Sequence, residues 1–128
     1  MTSYTHGTPA RPPRPLDARL RVVDVAAIVG GLREEDPYRS FGRDSQTIVS
    51  DGPARIIVTL LEAGSDVGAA TSDGHVSLYV IEGSCRLERD GQDVMLTAGS
   101  LAVLAPGAPW SLRADARTAF VASFWQPV

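Results

Sequence analysis

The chain has 128 residues, 44% of them hydrophobic, and a net charge of −3; that suffices for one buried core, since a single domain commonly spans roughly 100 to 150 residues. Its twelve basic residues, all arginine, are scattered along the sequence, so no dense positive face arises to neutralise a row of phosphates and nucleic acid is not an expected partner. The longest apolar runs, RIIVTLL and SLAVLAP, fall far short of the roughly 20 residues a membrane helix requires, and a lone cysteine, Cys85, excludes both an internal disulfide and a cysteine-rich zinc site.

Residues 1–16 contain the run PARPPRP and few apolar anchors, which reads as a flexible proline-rich tail. A positively charged leader followed by a hydrophobic stretch is missing there, so a cytoplasmic location is expected. Residues 17–128 are expected to form a single domain. Within it, DVAAIVGGLREED places Val25, Ile28, Val29 and Leu32 at helical spacing behind an N-cap, Asp24, with Pro37 beyond; this predicts a short helix at about 24–35. Gly30 and Gly31 weaken it, each by about 1 kcal/mol relative to alanine.

After residue 45 the pattern changes to short runs rich in Val, Ile, Leu and Thr, separated by SDG, EAGSD, SDG, RDG, TAG and APGAP. Turn signals at that frequency, with no further helical period, predict an all-β sandwich or barrel. SCRLERDGQDVML is the clearest hairpin, because Asp90-Gly91 can supply the two positive backbone torsions of a tight turn.

The spacing of glycines through residues 64–114 resembles that of the cupin superfamily, whose members are jelly-roll β-barrels. The first cupin motif runs glycine, five residues, His-x-His, three or four residues, glutamate, six residues, glycine; its glycines fall on Gly64 and Gly83. The second runs glycine, five residues, Pro-x-Gly, two residues, histidine, three residues, asparagine; its glycines fall on Gly99 and Gly107. The resemblance implies a cupin-type jelly-roll barrel with a short N-terminal helix. It does not carry over the metal chemistry, because the ligand positions hold Ala70, Ser72, Val76 and Trp110. A catalytic first-row metal needs three or four histidine, carboxylate or thiolate ligands, and the chain's two histidines, His6 and His75, do not occupy those places. Neither a metal nor any other cofactor is therefore expected.

In the cupin alignment the ligand positions face the interior, and period-two alternation sends Leu78 and Val80 inward with Val76, and Leu112 and Ala114 inward with Trp110. The expected lining is Ala70, Ser72, Val76, Leu78, Trp110 and Leu112, with Cys85 or Leu87 contributing from the next strand. His75 is expected to point away. Arg55, Arg86, Arg113, Glu82 and Glu88 are expected on outer faces, as is Tyr79, on a face suited to a second copy in a homodimer.

Such a lining suits a small apolar or aromatic molecule, so the leading expectation is metal-independent ligand binding in an accessory or sensing role, without acid, base or nucleophile in the cavity. One alternative is a cofactor-independent isomerase or cyclase that acts by shaping its substrate. The other is a structural or regulatory protein whose barrel is filled by Trp110 and its neighbours.

Overall fold

The computed structural model describes residues 20–70 and 73–125; the proline-rich tail, His6 and Ser72 lie outside them. Two helices lead the chain, α1 (Val25–Glu34) and α2 (Asp36–Phe41). Asp24 caps α1 by accepting the Ala27 N–H at 3.1 Å. Pro37 does not simply end the helical region, as its place after the predicted helix suggested. It sits in the first turn of α2, where its missing N–H has no intrahelical role.

Nine strands follow: β1 (Arg43–Asp51), β2 (Ala54–Leu61), β3 (Asp66–Ala70), β4 (His75–Glu82), β5 (Ser84–Arg89), β6 (Gln92–Thr97), β7 (Leu101–Leu104), β8 (Trp110–Ala114) and β9 (Thr118–Trp125). They form two antiparallel sheets, β1-β2-β9-β4-β7 and β3-β8-β5-β6. The predicted hairpin is β5–β6, and Asp90 and Gly91 adopt φ of 53° and 76°, the mirror-image turn whose twist matches the strands it joins.

The two sheets enclose one apolar core. The five-stranded sheet contributes Val76, Leu78 and Val80 from β4 and Phe120, Ala122 and Phe124 from β9; the four-stranded sheet contributes Cys85 and Leu87 from β5 and Trp110, Leu112 and Ala114 from β8. A second core lies on the outer face of the larger sheet, where Val29, Leu32 and Tyr38 of the helices cover Ile48, Val58, Leu60 and Ala119. This explains the unbroken run RIIVTLL: Ile57 and Leu61 point into the barrel while Val58 and Leu60 point to the helices, so β2 is buried on both faces. Glu82 is not the freely solvated outer charge expected, because its carboxylate accepts from the Arg33 guanidinium at 2.8 Å and ties α1 to β4.

Gly83, at the end of the first motif, joins β4 to β5 with φ +88°, and a Cβ there would lie 2.0 Å from the Arg117 carbonyl oxygen and 2.8 Å from Thr118 Cα. Gly64 has the same φ but open space around it. Gly64→Ala is therefore expected to cost about 1 to 2 kcal/mol, the left-handed penalty alone, and Gly83→Ala clearly more, because backbone must move as well. Urea denaturation of the two variants checks this; equal costs would contradict the close approach at Gly83.

Candidate functional site

The residues expected to line the barrel come together. Ala70, Val76, Leu78, Trp110 and Leu112 all lie in the one core between the sheets, none more than 3% exposed. Strand register explains the assembly. Ala70 of β3 pairs with Trp110 of β8, and Leu112 is flanked by Val67 of β3 and Leu87 of β5. Cys85 and Leu87 also face inward, Cys85 opposite Ala114. Tyr79 is exposed on the outer face of β4 and His75 is exposed at the start of that strand.

The interior does not fit a metal ion. Ala70 and Val76 present only hydrocarbon and Trp110 an indole without a lone pair to donate. Among the described residues no three histidine, cysteine, aspartate or glutamate side chains gather as a ligand set. The thiol of Cys85 is a poor candidate too: burial, and secondarily the charge of Asp115, pushes its pKa up to about 11, whereas a metal ligand must be the thiolate.

Space opens beside Trp110, at the end of the smaller sheet. A pocket of about 250 Å³ lies between the β5–β6 turn and the entry to β8, lined by Glu88, Arg89, Asp90, Gly91, Pro109, Trp110 and Ser111. The pocket lies at the rim of the barrel rather than inside it: Glu88 and Asp90 are exposed and Arg89 half-buried, whereas the described part of the expected interior lining, Ala70, Val76, Leu78, Trp110 and Leu112, carries no ionisable side chain. Glu88 is exposed on the outer face, as expected, and its carboxylate accepts from the Ser111 hydroxyl at 3.4 Å on this pocket's wall. Arg89 was passed over altogether. The signal that finds it is the alternation of Cys85, Leu87 and Arg89, which puts the guanidinium in the inward phase, directly opposite Trp110 in the β5–β8 register. Its Nη2 donates to the Ala105 carbonyl at 2.6 Å.

No protein-family model matches this sequence, and no curated protein matches it. Solved structures do. A cupin superfamily protein from Desulfitobacterium hafniense aligns over 91% of this chain and 100% of its own, with a TM-score of 0.71 at 12% identity. An RmlC-like cupin from Shewanella frigidimarina aligns over 67% of this chain and 78% of its own, with a TM-score of 0.63 at 17% identity. The chain has the cupin fold. A conserved protein of unknown function from Streptococcus pyogenes shares this cupin fold's whole extent, 93% of this chain and 97% of its own, with a TM-score of 0.69 at 17% identity. At such identities the likeness is one of architecture, so the chemistry of the cupin-fold chain rests on its own residues. Among the described residues no helix is long and apolar enough to cross a membrane.

Two outcomes follow from the packed interior. Trp110→Ala removes an indole that is 3% exposed, and should cost about 3 to 5 kcal/mol of stability in chemical denaturation. The Cys85 thiol of the folded protein should resist iodoacetamide at pH 8 and react once the protein is unfolded. Because the unfolded thiol ionises near pH 9 and the folded one only at about 11, the stability due to its protonated burial is complete below pH 9 and is lost as pH rises from 9 to 11.

Proposed function

We propose that this cupin-fold chain binds a small organic molecule without a resident metal ion, in an accessory or sensing role, and that the molecule seats against Trp110. The observation that carries the reading is the pocket of about 250 Å³ at the position where the cupin resemblance expects a metal-binding histidine. The part of the otherwise buried indole that borders the pocket gives it an apolar wall, and the adjoining strand ends and turn supply polar groups to orient a ligand. Ala70, Val76, Leu78 and Leu112 act behind the indole, holding it in place.

A second reading is favoured by the continuity of the core. Because the expected lining residues are themselves buried in it, the barrel could serve as a filled scaffold whose outer face does the work. Ser111→Phe separates the two, since it fills the pocket from its wall while leaving the core untouched: binding of aromatic probes should be lost with the melting temperature nearly unchanged. We further propose that the open part of the larger sheet, where Tyr79, Leu101 and Val103 are 46%, 60% and 65% exposed, carries a second copy of the chain. Tyr79→Asp should then halve the mass seen by sedimentation at a given concentration.

The metal-free part has a direct test. A native mass spectrum of protein expressed in medium supplemented with iron, zinc and manganese should show the bare chain, and Trp110→His should not create tight zinc binding, because Ala70 and Val76 still leave the ion short of ligands. A stoichiometric metal in the unaltered protein overturns the proposal.

A further inference from the structure

We infer that the Trp110 pocket selects small single-ring organic monoanions, carboxylates above all, and that Arg89 is the residue that reads their charge. The inference rests on the binding role proposed for that pocket and names the class of its ligand.

Arg89 closes the inward-facing series of β5. Cys85 and Leu87 are buried before it, and Arg89, the last residue of the strand, stands half-buried at the rim. The bond from its Nη2 to the Ala105 carbonyl, at 2.6 Å, anchors the guanidinium to the loop that leads into β8. Arg33, Arg43, Arg86 and Arg117 each have a carboxylate oxygen within 4.0 Å; among the described residues Arg89 has no ion pair. A guanidinium that is partly withdrawn from water and held by a carbonyl rather than by a carboxylate gains from a ligand carboxylate, because charge-assisted bonds are roughly twice as strong as neutral ones.

The rest of the pocket narrows the ligand further. Arg89 and Trp110 are register partners and both line the pocket, so a ring seated at the bordering part of the indole carries its substituent toward the guanidinium. The volume, about 250 Å³, lies below the roughly 300 to 1,000 Å³ of sites that take drug-sized molecules, which limits the body to one ring. Glu88 and Asp90 are exposed, so the high dielectric of water weakens their charge at the pocket without removing it; what remains works against a second negative charge and thereby against dianions. Without a contact from Arg89, the same two carboxylates would make the pocket prefer a cation.

Benzoate, benzamide and benzylamine share one ring and differ in charge. Titrated into the full-length protein and followed by the amide and indole N–H resonances, benzoate should bind roughly ten-fold tighter than either of the others, as one charge-assisted bond allows. Arg89→Gln should abolish that preference and Arg89→Lys should retain part of it, with circular dichroism confirming that each variant is folded. Benzamide or benzylamine binding as well as benzoate would overturn the inference and leave the pocket's binding role intact. No shift around Trp110 with any of the three overturns both. If Arg89→Gln fails to fold, the charge series on the unaltered protein and on Arg89→Lys decides the matter.

Discussion

At Gly83 the chain crosses from the five-stranded sheet to the four-stranded one through a gap that admits no side chain, with the Arg117 carbonyl and Thr118 against the site a Cβ would occupy. On the far side of the crossing, the Thr118 hydroxyl donates to the Ser84 carbonyl at 3.0 Å. The end of β4, the start of β5 and the start of β9 are thus held at one point. Because side chains alternate with a period of two, holding that point fixes which residues of both sheets face inward, and a slip of one residue would turn each strand's apolar set to solvent. Val76, Leu78 and Val80 before the crossing and Cys85 and Leu87 after it inherit their burial from it, and β8 receives its phase from β5 by register.

Much of this was legible in the sequence. The cupin alignment put Val76 and Trp110 inside, period-two alternation extended that to Leu78 and Leu112, and the Asp90-Gly91 turn marked the hairpin, because alternation and turn chemistry are local signals. The second core was less visible. Helical spacing identifies the apolar stripe of Val25, Ile28, Val29 and Leu32 but not the surface it covers, and the doubly buried run RIIVTLL has no alternation from which its two faces could be separated. The partnership of Arg33 with Glu82 was hidden for a related reason, since a pair 49 residues apart leaves no trace in the local pattern.

Arg89 is less legible for a different reason. The alternation of Cys85, Leu87 and Arg89 puts it in the inward phase, but a charge beside a turn is ordinarily solvated. The structure reconciles the two, because the strand ends at the rim of the barrel. There the backbone of Arg89 keeps the inward phase of Cys85 and Leu87 while its half-buried guanidinium donates to the Ala105 carbonyl. Two residue pairs further in, at the next inward-facing position, the partners are Leu87 and Leu112, and a guanidinium at that depth would be stranded among hydrocarbon at a cost of several kcal/mol.

That gradient along β5 and β8 bears on where such a barrel can recognise anything. A metal ion would supply a charge deep in the interior, but only with ligands that share it and balance its desolvation; alanine, valine and an indole cannot do either. On the reading proposed for this chain, polar recognition moves outward to the first position where backbone carbonyls and solvent make a charge tolerable. In this chain that position is the Arg89–Trp110 pair, where the apolar core ends in an aromatic surface and the polar rim begins with a cation. The proposed ligand site follows from this boundary: its apolar wall is the outermost layer of the core, and its polar wall is the strand end that the same alternation delivers.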